Sequence, residues 1–419
     1  MKATSLVGLV LAFVLIGSAC SAPAAPAPTA APSAAKAPGQ APAADAEWDR
    51  IVAAAKQEGT VTIYGRLLSG PEGTVLAEAF KQQFGITVEF VAGAGSPMFT
   101  RIKEEKASGR PTADLYEGSQ PWPGNIERAG YFENLKDKPI PSLKDPESVW
   151  LTDPWFMSAE KNYLSTRFSD YLAHVAVNTR VVPESEMPRS WEALATDPRY
   201  KGKIGWVDPK TTQDIGTVWA RHGYVGKGLT LEHLWSIYNI QSPQLFANPV
   251  EATTAIGRGE AGLGTGATSS LAPSVSAGAP VKLLLFPETP IVSQGSGIGI
   301  IKDSPHMNAA LVFINWVMSK DGMDLIARTN QARTIRKDVH PGIPENMKSE
   351  VVGGGARGPE FLLSAEQAAL AGEVESAGVM RMLTDGASLA DFKAAYEKFL
   401  KDWEGKNGGP RDAPVRARV

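Results

Sequence analysis

The chain has 419 residues, a length that can supply two domains with full hydrophobic cores. Its 42 Lys and Arg nearly balance 45 Asp and Glu, and the formal net charge of −3 argues against nucleic acid or an anionic membrane surface as a partner. The single cysteine, Cys20, excludes a disulfide within the chain and a cysteine-ligated metal cluster.

The first residues have the pattern of an export signal. Lys2 supplies a positive charge, residues 5–17 are mostly apolar but too few to cross a membrane as a mature helix, and small residues precede Cys20. This pattern predicts a lipoprotein signal peptide over residues 1–19, with lipid on Cys20 and an exported protein anchored at the cell envelope. An ordinary secretory signal with an incidental cysteine is the alternative.

Both ends of the remaining chain are predicted to lie outside the folded body. Residues 20–46 consist almost wholly of Ala and Pro and cannot build a core, so we expect a disordered, partly extended tether. Residues 404–419 are predicted to form a disordered tail.

Strand and helix patterns alternate from residue 48 onward. The pattern predicts helices over residues 48–57 and 71–84 and from residue 97, and strands over residues 61–64, 86–91 and 115–116. This β-α-β-α-β order, without a hairpin signal, predicts an α/β fold with mainly parallel sheets.

A second informative stretch runs from residue 284 to residue 321. Two apolar runs are separated by a glycine-rich turn, and a helix with one apolar stripe follows. Ser304 is the predicted N-cap and Pro305 the predicted first helical residue, and Asp321-Gly322 is predicted to end the helix.

The wording of this stretch carries a family resemblance. Residues 297–316 read Gly-x-Gly-Ile-Ile-Lys-Asp-Ser-Pro-His-x-Asn-Ala-Ala-x-x-Phe-Ile-Asn-Trp, and residues 188–204 contain Pro-Arg-Ser-Trp-Glu-Ala-Leu and Asp-Pro-Arg-Tyr-Lys-Gly-Lys-Ile. Both resemble bacterial extracellular solute-binding proteins, the receptors of ABC importers, in the branch of ferric iron, phosphonate, sugar-phosphate and polyamine binders. The resemblance covers roughly residues 60–339.

The resemblance implies the two-lobed type 2 periplasmic binding fold, with mainly parallel sheets and two crossover strands. Lobe 1 would hold residues 47–170 plus 287–403 and lobe 2 residues 180–286, with residues 174–179 as the first crossover strand. It also implies a monomer without a cofactor or an enzymatic activity, whose partners are a small-molecule solute, an ABC permease and the ATPase of that permease.

Four turns are predicted to meet at the carboxyl ends of the strands, where an α/β sheet binds ligands. Each turn precedes a helix, whose free N–H groups carry about half a positive charge and favour anions. Each could equally be a tight turn with a helix cap and no ligand. The residues predicted to contact a solute there are Arg66, Ser69, Gly95, Ser96, Ser119, Gln120, Thr211 and Thr212.

Two arginines and several aromatic residues complete the predicted site. Arg66 directly follows the first strand and could clamp a carboxylate or phosphate, and Arg333 is the second choice. Each could also be an ordinary structural or surface arginine. The rings of Tyr64, Trp122, Trp155 and Trp206 are predicted to wall the cleft, with core packing as the alternative for each ring.

The ligand class follows from a comparison with the iron-binding branch. There two adjacent tyrosines ligate the metal, whereas the matching positions here are Ala267 and Thr268, which are poor ligands for ferric iron. Gly266 and Thr268 instead suit hydrogen bonding to a small organic anion, a carboxylate or a phosphate or phosphonate. Ferric iron and a polyamine remain alternatives within the family. A surface-tethered hydrolase is the alternative from another class, although no nucleophile motif supports it.

Overall fold

Two β-sheets flanked by helices form the framework of the protein in this computed structural model. The structure describes residues 43–65, 71–93, 95–169, 173–211, 214–266, 268–330, 332–340, 342–407 and 415–416. The predictions for the signal peptide, Cys20 and the tether up to residue 42 lie outside the described residues, as do those for Arg66, Ser69, Thr212 and Ala267.

Strands and helices alternate up to α4, and the later part of the chain also contains consecutive strands and consecutive helices. The strands are β1 (Thr60–Gly65), β2 (Thr87–Ala92), β3 (Leu115–Ser119), β4 (Leu164–Ser169), β5 (Val175–Asn178), β6 (Ile204–Val207), β7 (Gln244–Phe246), β8 (Leu263–Gly264), β9 (Val281–Leu285), β10 (Ile291–Ile300), β11 (Arg333–Thr334), β12 (Glu350–Val351), β13 (Glu360–Leu362) and β14 (Val415–Arg416). The helices are α1 (Ala43–Glu58), α2 (Pro71–Phe84), α3 (Ser96–Ser108), α4 (Trp122–Arg128), α5 (Trp191–Thr196), α6 (Asp214–Val218), α7 (Leu231–Asn239), α8 (Pro249–Arg258), α9 (Ala272–Ser276), α10 (Met307–Met318), α11 (Lys320–Asn330), α12 (Ala365–Ser376) and α13 (Leu389–Asn407). No helix within the described ranges is long and apolar enough to cross a membrane.

The first sheet has the strand order β11-β4-β10-β3-β1-β2, and β13 also pairs with β10. Strand β1 is parallel to β2 and β3, as the alternating pattern predicts, and the long strand β10 runs antiparallel to β3 and β4. Helices α1, α2, α10 and α11 cover one face, where Phe80 packs edge-on against Phe313 with ring centroids 5.0 Å apart. Burial of these aromatic and aliphatic side chains stabilises the first core.

The second sheet has the order β12-β9-β5-β8-β6-β7. Strand β6 is parallel to β7 and β8, and β5 is antiparallel to β8 and β9. Its core includes Tyr200, Trp206, Ile237 and Phe286.

The chain passes from β4 in the first sheet to β5 in the second and returns from β9 to β10, and these two links are the crossover segments. It crosses again from β11 to β12, which pairs with β9, and returns to β13, which pairs with β10. This architecture confirms the predicted two-lobed α/β fold, and the passage through β12 adds two links to the two predicted crossovers. Parallel pairing is found between β1 and both β2 and β3, between β6 and both β7 and β8, between β9 and β12, and between β10 and β13.

The chain ends differ from the predicted boundaries. Helix α1 begins at Ala43, inside the predicted tether, because the alanines before Trp48 are strong helix formers. Residues 404–407 continue α13, and β14 pairs antiparallel with β13, although the whole stretch was expected to be a tail.

The C-terminal helices correct the predicted lobe boundary. Val374 of α12 and Phe392 and Tyr396 of α13 are buried in the second core, where the Tyr396 hydroxyl accepts a hydrogen bond from Trp219 Nε1 at 2.9 Å. Residues 365–403 therefore pack with the second sheet and not with the first, because their apolar side chains fill space beside α6 and α7.

The start of α10 also differs from the prediction. The helix begins at Met307, and the hydroxyl of Ser304 donates to Asp114 Oδ1 at 2.6 Å instead of capping the helix. The same buried carboxylate accepts the backbone N–H groups of His306 at 2.8 Å and Thr62 at 2.7 Å. Asp321 and Gly322 do not end this helix but lie in the first turn of α11.

Candidate functional site

The first-lobe rim is formed by the turns that follow β2 and β3. Gly95 has a φ of 62° and lies against the indole of Trp122, whose Cε2 atom would be 3.1 Å from an added Cβ. A side chain at this position would thus be strained and would collide with the ring. Ser96 begins α3 directly after it. The structure therefore brings two predicted site residues, Gly95 and Ser96, next to a half-buried tryptophan that was predicted to wall the cleft.

Gln120 and Ser119 have different environments at the end of β3. Gln120 is buried, and its Nε2 donates to the hydroxyl of Tyr163 at 2.6 Å, so most of its side chain is structural. Its Oε1 atom has no hydrogen-bond partner among the described residues. Ser119 is half-buried and remains available at the strand end.

Polar side chains on three neighbouring strands form a row across the first sheet at the end of β3, and the sequence analysis did not predict this row. In the strand registers, Ser119 of β3 lies opposite Ser296 of β10, which lies opposite Arg167 of β4. Arg167 lies 3.8 Å from the buried carboxylate of Glu117 and contacts Asn330. Only the alternation of polar residues with glycine in β10 could have indicated this row.

Tyr64 and Trp206 are core residues, which corrects their prediction as cleft walls. Both are fully buried. The Tyr64 hydroxyl donates to Glu105 Oε1 at 2.5 Å, and the Arg101 guanidinium lies 4.5 Å from the centre of its ring. Burial and the Glu105 carboxylate raise the pKa of Tyr64 to about 12.

Arg333 is engaged within the protein. Its guanidinium donates to the carboxylate of Glu360 on β13, and the Glu360 side chain is only 5% exposed. This ion pair ties β11 to β13 and leaves Arg333 in a structural position, contrary to its prediction as a ligand contact.

Gly266 also has a structural reason to be glycine. An added Cβ would lie 2.4 Å from Thr253 Oγ1 and 2.8 Å from the carbonyl oxygen of Pro249, so the end of β8 packs closely on α8. This close packing is sufficient to require glycine at this position, and the contact of Gly266 with a solute stays a prediction. Thr268 begins a short 3₁₀ turn just beyond it.

The second-lobe rim contains a cavity beside the turn that follows β6. The cavity has a volume of ≈ 490 Å³ and is lined by Pro209, Lys210 and Thr211 of this turn and by Glu375, Ser376 and Arg381 of the C-terminal region. The Thr211 hydroxyl donates to the Asp208 or the Ala247 carbonyl, at 3.2 or 3.1 Å. Thr211 thus lies in a turn beside Lys210, which is paired with Asp385 at 2.9 Å, and its contact with a solute stays a prediction.

Glu375 projects from α12 toward α6 at the edge of this cavity. Its carboxylate is buried and accepts a hydrogen bond from the backbone N–H of Gly216. Burial is the main cause that raises the pKa of Glu375 to about 7, and Asp214 raises it further. Nothing in the sequence pattern connects residues 216 and 375, so this contact could not be predicted.

His174 joins the two crossover segments. Its Nδ1 accepts the backbone N–H of Phe286 at 2.8 Å, which places the proton on Nε2, 3.0 Å from the Pro290 carbonyl oxygen. Burial lowers the pKa of His174 to about 4, so the imidazole is neutral. A neutral histidine therefore holds together the segments about which the lobes could rotate.

The protein has two lobes linked by the crossover segments, and polar turns lie at the ends of its parallel strands. This arrangement is typical of binding proteins for small solutes. The family model described as bacterial extracellular solute-binding protein matches residues 75–351, and the chain belongs to this family.

Individual relatives are distant. A Haemophilus influenzae protein without an assigned function is 26% identical over 277 residues, which is 64% of this chain and 77% of that protein. A Salmonella typhimurium protein, named as a candidate 2-aminoethylphosphonate-binding periplasmic protein, is 23% identical over 272 residues, 63% of this chain and 74% of that protein.

Solved structures share the fold. Iron-bound HitA from Pseudomonas aeruginosa has a TM-score of 0.59 at 20% identity, covering 77% of this chain and 99% of that one. AfuA from Actinobacillus pleuropneumoniae, with fructose-6-phosphate bound, has a TM-score of 0.57 at 19% identity, covering 78% of this chain and 98% of that one.

Proposed function

We propose that the protein captures a small organic anion, a carboxylate or a phosphate or phosphonate, between its lobes and delivers it to the permease of an ABC importer. A separate ATPase drives the transport, and no bond is made or broken by this protein. Closure would be a hinge motion biased by ligand contacts to both lobes. The crossover segments joined by His174 are the natural position of that hinge.

The cavity beside Thr211 is the observation that favours an anionic ligand. Lys210, which is paired with Asp385 at 2.9 Å, and Arg381 bring two positive charges to its wall against the one carboxyl group of Glu375. Thr211 and Ser376 add hydroxyl groups, which donate to backbone carbonyl oxygens in this structure. Cationic side chains with hydroxyl donors suit carboxylate and phosphate oxygens. The names of two similar proteins, which mention an aminoethylphosphonate and a sugar phosphate, agree with this class.

The remaining proposed contacts come from both rims. On the first lobe these are Arg66, Ser69, Gly95, Ser96 and Ser119, and on the second lobe Thr211, Thr212 and Thr268. Ferric iron is the weaker candidate, because the positions of the two tyrosines in the iron-binding branch hold Ala267 and Thr268 and thus offer no phenolate oxygen.

The proposal is tested by measuring the melting temperature of the mature chain with each compound of a panel. The panel contains carboxylates, phosphate esters, phosphonates, amino acids, sugars, polyamines and ferric iron. A ligand that binds only the folded state adds about 2.7 kcal/mol of stability at a hundredfold excess over its Kd. We expect one anionic class to raise the melting temperature, and Arg66→Ala and Lys210→Ala to remove the rise. Lys401→Ala, an exposed cation on α13, is the control that should retain it.

Other outcomes are equally informative. A rise with iron or a polyamine alone would contradict the anion and keep solute capture. No rise with any compound would contradict solute capture under these conditions.

We also propose that Cys20 carries lipid and anchors the protein at the cell envelope, because small residues precede it after a short apolar run. The intact mass of the exported protein tests this proposal, since acyl chains add mass only when Cys20 is modified. We expect Cys20→Ser to lose that mass and to leave the membrane fraction. A wild-type mass equal to that of the bare chain would contradict lipid attachment.

A further inference from the structure

The polar row at the end of β3 includes two buried charges of opposite sign. Glu117 is 1% exposed and Arg167 is 5% exposed. Glu117 is paired in register with Gly65, the last residue of β1, so its carboxylate lies at the carboxyl ends of two parallel strands. This edge of an α/β sheet is where ligands bind. We call the residues that surround the two charges the first-lobe polar cluster, which consists of Glu117, Ser119, Arg167, Ser296 and Asn330.

The same face of the sheet is apolar one layer further from this edge. Leu115 precedes Glu117 by two positions on β3, and Ile298 and Ile300 follow Ser296 on the facing strand β10. Because alternate residues of a strand share a face, the core side changes from apolar to polar and charged within one or two layers. Charges are costly to bury, and a buried ion pair is often replaced by apolar residues without loss of stability. The cluster therefore indicates a role beyond core packing.

Ser296 supplies an independent observation. Its side chain is fully buried, and its hydroxyl has no hydrogen-bond partner among the described residues. In the strand registers it lies between Ser119 and Arg167, in the middle of the cluster. A buried hydroxyl without a partner is unfavourable, because it loses the hydrogen bonds that water would make. The hydroxyl thus points to a further polar group that binds beside the ion pair.

The spacing of the two charges indicates the chemistry of that group. An Arg167 nitrogen lies 3.8 Å from a Glu117 carboxylate oxygen, which is longer than a hydrogen bond, whereas another Arg167 nitrogen donates to Asn330. A simple anion that approaches Arg167 also approaches Glu117, so the attraction and the repulsion largely cancel. A molecule that carries an ammonium group beside an acidic group is attracted by both charges.

We infer that the first-lobe polar cluster binds the head of a zwitterionic solute, whose ammonium group donates to Glu117 and Ser296 and whose acidic group accepts from Arg167 and Ser119. This inference rests on the proposed function and narrows its ligand to an anion with an amino group, an amino acid or an aminophosphonate. Ser119 and Asn330 are half-buried, so the head enters past these two residues.

Matched pairs of compounds test the inference in the wild-type protein. The pairs differ by an amino group and are acetate and glycine, succinate and aspartate, and ethylphosphonate and 2-aminoethylphosphonate. By isothermal titration calorimetry, we expect one amino compound to bind at least about tenfold more tightly than its partner, because it adds charged hydrogen bonds. The pair that responds distinguishes a carboxylate head from a phosphonate head.

Equal affinity within every pair, or tighter binding of the amino-free compounds, would overturn the zwitterion and leave the capture of an anion standing. An absence of binding by all six compounds would also overturn it. The melting-temperature panel then decides separately whether any other solute is captured, so the failure of the inference is distinguishable from the failure of the proposed function.

Glu117→Gln tests the assigned contact, and Glu104→Gln, an exposed carboxylate on α3, is the matched control. The readout is the ratio of the two affinities within the responding pair, which a general loss of stability does not change. We expect this ratio to fall about tenfold in Glu117→Gln and to stay constant in Glu104→Gln. Ser296→Ala serves if Glu117→Gln does not fold, and it should lower the ratio about threefold. An unchanged ratio in a folded Glu117→Gln or Ser296→Ala protein would overturn the inference.

Discussion

His174 Nδ1 accepts the backbone N–H of Phe286 across the two crossover segments, and His174 Nε2 donates to the Pro290 carbonyl oxygen on the same returning segment. One side chain thus satisfies a buried donor and a buried acceptor at the place where the chain changes sheets. The hydrogen bond from Phe286 requires the neutral ring, because protonation of Nδ1 removes the acceptor, whereas Nε2 can donate in either state.

The first prediction compares this residue with its neighbour His222. Both imidazoles are buried, with ring centroids 5.7 Å apart, but neither ring nitrogen of His222 has a hydrogen-bond partner among the described residues. His174→Phe should lower the free energy of unfolding by about 2–4 kcal/mol, because it leaves two backbone groups unsatisfied. His222→Phe should be neutral or slightly stabilising, and urea denaturation measures both. A similar loss in the two variants would contradict this account of the crossover.

The second prediction concerns acid. Burial holds the pKa of His174 at about 4, whereas an unfolded histidine titrates near its ordinary value of 6.5. The unfolded chain therefore binds a proton that the folded chain does not bind. The free energy of unfolding consequently decreases as pH falls from about 6.5 toward 4. The loss should reach about 3 kcal/mol from this group. Urea denaturation at several pH values should show this slope in the wild type and a shallower slope in His174→Phe, in which burial still lowers the pKa of His222.

The third prediction has the opposite sign. The pKa of Glu375 is raised to about 7 from 4.5, so the folded chain retains a proton that the unfolded chain has already lost. Stability from this group is present below about pH 4.5 and is lost as pH rises through 7. Relative to Glu375→Gln, the wild type should lose about 3 kcal/mol across that window. A difference between the wild type and Glu375→Gln that stays flat over these pH values would contradict the raised pKa of Glu375.

The fourth prediction separates Arg333 from the solute site. Glu360→Gln removes the negative charge of a side chain that is 5% exposed and accepts a hydrogen bond from the Arg333 guanidinium, which is 19% exposed. We expect a loss of roughly 2–3 kcal/mol in the free energy of unfolding and no change in solute affinity. Glu345→Gln, in an exposed ion pair with Lys348, should change neither quantity. Weaker solute binding in Glu360→Gln would return Arg333 to the site.

The parts of the fold that could be predicted from the sequence are those that a local pattern of residues determines. The strand–helix alternation that gives the parallel β1, β2 and β3 is local, because each element shows its own periodicity. The turn at Gly95 is also local, since a positive φ favours glycine.

The predictions that were wrong concern side chains whose partners are distant in the sequence. Ser304 has the chemistry of an N-cap, but the Asp114 carboxylate, distant in sequence, binds it instead. Tyr64 and Trp206 follow the pattern of cleft residues and are nevertheless buried, because an aromatic residue on a strand can face either the cleft or the core. The position of α12 between the rims depends on the contacts of Gly372 with Pro121 and of Ala371 with Gly216, and no local periodicity encodes such pairs.

The packing of α12 and α13 has a consequence for how the chain is made. Trp219 and Ile237 are synthesised well before Phe392 and Tyr396, yet all four side chains share one core. A polypeptide that leaves the ribosome, or crosses a membrane, N-terminus first cannot complete this core until almost its last residues have emerged. The second core therefore keeps apolar surface uncovered until then, and a chain truncated after β13 would retain the strands β11-β4-β10-β3-β1-β2 of the first sheet without completing the second core.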